Sequence, residues 1–131
     1  MLVDSNVLLD LFTNDPDWAS WSREQLERAA ARSQLLVNDV IYSEISVRFP
    51  SLEAVDDALD RAGIVLAPMP RAALFQAGKA CRRYRAAGGS RTGVLPDFFI
   101  GAHAMATGLP LLTRDARRYR SYFPAVSLIT P

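Results

Sequence analysis

Cysteine is almost missing: Cys81 stands alone, so no disulfide can form within the chain and no pair of thiols offers zinc-ligand spacing. Histidine is as scarce, with His103 the only one, and a lone imidazole cannot build a nitrogen-rich metal site. Six residues into an apolar helix, it reads as a hydrogen-bonded core or interface residue, outside any catalytic set. Long apolar runs are missing too. Residues 98–112 carry no formal charge, but the run is shorter than a membrane span and Gly108 and Pro110 interrupt it. The chain opens on MLVDSN, without the basic and apolar segments of a secretory leader. No repeat or low-complexity stretch is present. These absences, with a length of 131 residues, lead to the expectation of one soluble, cytoplasmic domain that makes no use of a membrane.

Acid is scarce in one half only. Residues 1–60 hold 12 acids and 4 bases, whereas residues 61–131 hold 2 acids and 11 bases. The 2 are Asp97 and Asp115. Such a division suits an anionic partner approaching an acidic centre, although arginines that merely coat helix surfaces would give the same count.

What is present alternates in period. Met1 to Val3 reads as a short buried strand ending in Asp4-Ser5-Asn6, with a helix from Val7 to Phe12 after it. Asn14-Asp15-Pro16 breaks that helix and another runs to about Arg32. Leu35 to Val37 is a second strand, ending in Asn38-Asp39. VIYSEISVRF forms a helix in which Glu44 shares a face with Val40 and Ile41, so its carboxylate turns towards the protein. A helix over Leu52 to Ala62 ends at Gly63, and IVLAPM supplies a third strand. Residues 71–87 form an amphipathic helix whose expected apolar stripe is Leu74, Ala77, Cys81 and Tyr84, which makes Cys81 a packing residue. GGSRTGVLP is a glycine-rich connection without a phosphate-loop ending. A helix opens at Pro96-Asp97, where proline suits the first turn and the carboxylate meets the positive end of the helix dipole. LPLLT is a fourth strand delivering Thr113-Arg114-Asp115, ARRYRSYF a basic helix, and VSLIT a final edge strand. Strands and helices in alternation predict an α/β fold of three layers, α/β/α, around a mainly parallel central sheet.

Open parallel sheets place their sites at the carboxyl ends of strands. Asp4, Glu44, Asp97 and Asp115 are the acids this reading sends to that edge; Asp10 and Asp39 are bystanders. Asp4, Asp97 and Asp115 could each cap or flank a helix. Capping does not account for Glu44, nor for all four sharing one edge. Four carboxylates there repel one another unless protons or a cation intervene. An all-oxygen donor set suits Mg²⁺ or Mn²⁺, which assist phosphodiester cleavage, and nearby arginines would hold phosphates.

The segments VDSNVLLDLF, YSE, PDFFIGAHA and LPLLTRD, in this order over nearly the whole chain, resemble PIN-domain nucleases, most closely the toxin subunits of VapB–VapC toxin–antitoxin pairs. The resemblance implies a PIN-like domain over residues 1–131 and a metal-dependent endoribonuclease, commonly dimeric and inhibited by a VapB-type antitoxin. It carries catalytic and metal-binding roles to Asp4, Glu44, Asp97 and Asp115, and supporting roles to Ser5, Asn6 and Thr113. Arg82, Arg83, Arg85, Arg91 and Arg114 are candidate RNA contacts. The chain departs from the family where Phe98 and Phe99 follow the acid and Gly101 sits mid-helix. Two other functions stay open: a non-catalytic RNA-binding module, and an aspartate-nucleophile phosphatase, which would want an acid where Asn6 stands.

Overall fold

The structure, a computed structural model, describes all residues 1–131. Five short strands, β1 (Leu2–Val3), β2 (Leu35–Val37), β3 (Ile64–Leu66), β4 (Leu111–Leu112) and β5 (Leu128–Ile129), form one sheet in the order β3-β2-β1-β4-β5. Every pairing is parallel. Seven helices complete the three layers: α1 (Ser5–Phe12), α2 (Ala19–Ala30), α3 (Asp39–Ser46), α4 (Leu52–Arg61), α5 (Arg71–Ala86), α6 (Leu95–Thr107) and α7 (Arg117–Tyr122). None is long and apolar enough to cross a membrane.

The order of strands positions everything else. The chain lays β2 and β3 on one side of β1, then returns to lay β4 and β5 on the other. The gap between β1 and β4 is therefore the switch point, where loops part and leave a crevice at the carboxyl edge of the sheet. Asp4 follows β1 and Thr113 follows β4, so both stand at that crevice. Leu2, Val3, Leu111 and Leu112 are fully buried, as two-sided burial of a central parallel strand requires.

Helix α6 starts one residue before the expected position, with Val94 flanking it and Pro96 in its first turn. Proline is tolerated there because the first N–H groups have no intrahelical partner. Gly108 ends the helix in the left-handed conformation (φ 66°), which glycine adopts without steric cost. Phe98, Ile100, Ala102 and Ala104 are buried between the sheet and neighbouring helices.

The stripe of α5 differs from expectation. Ala73, Ala77 and Ala80 are buried, Cys81 and Tyr84 are partly so, and Leu74 is 45% exposed. The physical reason is close approach: α5 packs along α6, and methyl-sized side chains let the two backbones come together where a leucine would hold them apart. Hydrophobicity alone favoured Leu74; the contact favoured small residues.

Gly101 is the tightest point of α6. A β-carbon there would overlap the ring of Phe123, itself 1% exposed. Gly101→Ala gains about 1 kcal/mol of helix propensity but overpacks a closed core, which costs about 1–3 kcal/mol. Because Phe123 has nowhere to retreat, overpacking wins, and the variant is expected to unfold at lower denaturant concentration with an unchanged slope.

Candidate functional site

Asp4 is the centre. It lies at the carboxyl end of β1, is 3% exposed, and receives three donors on one oxygen. Thr113 Oγ1 donates to Asp4 Oδ2 at 2.7 Å, Tyr119 Oη at 3.0 Å and Asn6 Nδ2 at 3.3 Å. The other oxygen, Oδ1, meets only Ser5 Oγ at 3.4 Å. Ser5 has one hydroxyl hydrogen and lies nearer Glu44 Oε1, at 3.0 Å. Asp4 is thus clamped through Oδ2, while Oδ1 keeps its lone pairs on the side shared with Glu44.

Thr113 is the hinge between the two strand ends. Its hydroxyl gives its single proton to Asp4 and accepts from the Asp115 amide at 3.2 Å and from Asn6 Nδ2 at 3.3 Å. Asn6 Oδ1 in turn accepts from the Arg114 amide at 3.1 Å. The first turn of α1 is thereby tied to the loop after β4. Ser5, Asn6 and Thr113, the three supporting residues read from the sequence, all contact the acids or one another.

Asp97, in the first turn of α6, is partly buried and pairs with Arg118 Nη1 through Oδ2 at 2.6 Å. Asp115 is exposed, and its Oδ1 accepts from the amide of Arg117, the first residue of α7, at 3.3 Å. Electrostatics joins the four acids. Burial pushes Asp4 up to about 6, with Asp97 adding repulsion and Thr113 and Tyr119 opposing. Glu44 is raised by burial and by Asp4 and Asp97, against the Ser5 hydrogen bond. Asp97 is raised by burial and then by Asp115, against Arg118. Asp4, Glu44 and Asp97 therefore each feel at least one of the other acids. No three of them close into a finished ligand cage.

The donor chemistry nevertheless fits a hard divalent cation. Every candidate ligand is an oxygen, Asp4, Glu44 and Asp97 are partly or wholly withdrawn from water, and the repulsion among these acids is what a cation would offset. Asp4 through Oδ1, with Glu44, Asp97 and Asp115, would hold it.

Tyr119 was not legible as a site residue. It is 1% exposed and lies 115 residues from its partner, Asp4. Burial and then Asp4, Asp97 and Glu44 hold its hydroxyl well above the ordinary phenol range, so it stays a proton donor. A tyrosine in a basic helix carries no local signal of that contact. Asp10 is no member of the acid group, but it is not idle: 3% exposed, it binds Arg114 through two bonds, Nε at 2.8 Å and Nη2 at 2.9 Å, and accepts from Ser22 Oγ at 2.8 Å. Arg114, expected among the phosphate contacts, is committed to Asp10 and stacked over Trp18. His103 is buried and meets Asn38 Nδ2 through Nδ1 at 3.2 Å. Because Asn38 Oδ1 accepts from the Ile41 amide, the Asn38 amide group is the donor, and the imidazole proton sits on Nε2. His103 is a core link between α6 and the start of α3.

The raised Asp4 has a measurable consequence. Its carboxyl binds a proton more tightly folded (about 6) than at its ordinary value (3.8), so it contributes stability at low pH that is lost as pH rises through about 6. His103 is lowered by burial, with Asp39 opposing, and loses stability in the opposite direction, as pH falls below 6.5. Comparison with Asp4→Asn cancels the histidine, which both proteins share. In EDTA, the stability of the parent relative to Asp4→Asn is expected to rise by on the order of 2 kcal/mol from about pH 8 to about pH 4.5, by urea unfolding. A pH-independent difference would show that Asp4 is an ordinary carboxylate.

Comparison with known proteins agrees with the topology. The family model for the PIN domain matches residues 1–124. No curated protein matches the chain. Among solved structures, VapBC2 from Rickettsia felis, bound to a DNA fragment from its promoter, has a TM-score of 0.75 at 16% identity, covering 99% of this chain and 97% of that one. A toxin–antitoxin complex from Klebsiella pneumoniae has a TM-score of 0.72 at 20% identity over 99% and 96%. VapBC-1 from nontypeable Haemophilus influenzae gives 0.73 at 15% over 98% and 96%. At these identities the likeness is one of fold.

Proposed function

The chain belongs to the PIN-domain family, and from that premise we propose that it is an endoribonuclease dependent on Mg²⁺ or Mn²⁺, acting as the toxin of a toxin–antitoxin pair. The observation that carries the reading is Asp4: a buried carboxylate clamped on one oxygen, with its other oxygen turned to Glu44 and its charge coupled to Asp97. The bound cation supplies Lewis-acid activation of water and offsets charge on the phosphoryl oxygens. The chain's own residues do the rest. Thr113, Asn6 and Tyr119 fix the orientation of Asp4, Ser5 donates to Glu44, and Arg118 balances Asp97. Arg82, Arg83, Arg85 and Arg91, which have no carboxylate partners, hold the RNA backbone. The partner is a VapB-type antitoxin, as in the Rickettsia and Haemophilus complexes, and the toxin is a cytoplasmic homodimer.

A non-catalytic RNA-binding module is the second reading, favoured by the Arg118–Asp97 pair, which occupies one of the acids. Asn6 argues against an aspartate-nucleophile phosphatase, because it is spent holding Asp4 and Thr113. Incubation of cellular RNA with the purified chain separates these readings. Discrete fragments are expected with Mg²⁺ or Mn²⁺ and none with EDTA. Binding without cleavage in either metal would favour the module; cleavage indifferent to EDTA would refute metal dependence.

A further inference from the structure

The charges outside the acidic edge are unevenly answered. Four ion pairs form, using Arg28, Arg61, Arg114 and Arg118. Arg85 and Arg91 take part in none, and no acid occurs from residue 61 to residue 96 to answer them. Both line a cavity of about 140 Å³ at the end of α5, together with Tyr84, Gly89, Ser90 and Thr92. We propose that this cavity binds one backbone phosphate of the RNA beside the bond that is cut. The proposal rests on the ribonuclease reading.

The cavity is built, not a chance gap between surface side chains. The Gly89 amide donates to the Tyr84 carbonyl at 2.9 Å, and the Arg91 amide to Tyr84 Oη at 3.2 Å. Gly89 lies against the ring so closely that a β-carbon there would overlap it. The connection from α5 to α6 is therefore moored on one tyrosine, with Arg85 and Arg91 held around it. Tyr84 packs on Phe98 (5.3 Å between ring centroids) and Tyr122 (6.2 Å). Phe98 is the neighbour of Asp97, and Tyr122 ends the helix that carries Arg118 and Tyr119. Leu95, which lies two residues before Asp97 at the start of α6, also lines the cavity.

Its chemistry points to phosphate rather than base. Two guanidinium groups and two hydroxyls are donors matched to phosphodiester oxygens. Base recognition by single-strand binders needs an open aromatic face. Here Gly89 covers one face of Tyr84 and Phe98 and Tyr122 pack around the ring.

The test is binding of a fluorescent single-stranded RNA to the full chain in EDTA, by anisotropy, across a salt series. Arg85→Gln and Arg91→Gln are each expected to weaken binding by about three- to tenfold and to lower the salt slope by about 1. Arg71→Gln, at the opposite end of the same helix, should change it less than about twofold. Gly89→Ala keeps every charge but forces the loop off the ring, and is expected to weaken binding with an unchanged slope. All four sites are at or near the surface, and melting curves check that each variant is folded. Equal losses at Arg71 and the two cavity arginines would overturn the proposal in favour of diffuse attraction, as would parental affinity in the Gln variants. If the parent cleaves RNA while these variants bind normally, the cavity fails and the nuclease stands. If the parent neither binds nor cleaves RNA, both fall.

Discussion

Asp97→Asn is expected to lower RNA cleavage by about a hundred- to a thousandfold, the scale seen when one preorganised electrostatic stabiliser is removed from an active site. The fold should survive. Asp97 is raised by burial and by Asp115, so a neutral side chain relieves a cost already present in the metal-free protein. Asparagine keeps an oxygen for Arg118, the residue it would otherwise strand. The two effects oppose each other, and because the pair is partly open to water, stability should shift by about 1 kcal/mol at most. Single-turnover cleavage in Mn²⁺, with a thermal melt of the same preparation in EDTA, checks both parts. A folded Asp97→Asn variant cutting at the parental rate would remove Asp97 from the site.

Asp10→Ala should be the most damaging single change to stability outside the apolar core. Asp10 joins three elements: α1, which carries it, Ser22 on α2, and Arg114 in the loop after β4. Removing it strands a fully buried hydroxyl and a guanidinium whose side chain is 30% exposed. Breaking a fully buried pair costs about 3–5 kcal/mol, and partial access of water to Arg114 lowers that to about 2–4 kcal/mol. Urea unfolding measures it, and a loss below about 1 kcal/mol would mean that Arg114 finds another partner. Activity should fall as well, because the Arg114 amide also holds Asn6, which bonds to Asp4.

How far such contacts can be anticipated depends on their span along the chain. The strands, the helices and the interruption at Gly108 follow from local pattern and local chemistry, and they match the structure within a few residues. Asp4, Glu44 and Asp97 could be placed together because strand ends and helix faces have a defined direction. The stripe of α5 could not, since the choice of Ala73 over Leu74 was made by the partner helix. Tyr119 on Asp4 and Asp10 on Arg114 lie over a hundred residues apart. Nothing near either end of such a pair announces the other.

The same span governs when the acidic edge is assembled as the protein is made. β1 leaves the ribosome well before β4, yet it is the middle of the sheet and pairs with β4, through Val3 and Leu112. Asp4 waits 109 residues for the hydroxyl of Thr113. At about 5–20 residues per second, synthesis leaves the central strand without that partner for several to about twenty seconds. An unfinished chain, or one cut short anywhere before residue 113, has its first acid but not the clamp that orients it. The orientation of Asp4 is therefore a property of the finished sheet, set only when the segment that carries Thr113 and Tyr119 has joined it.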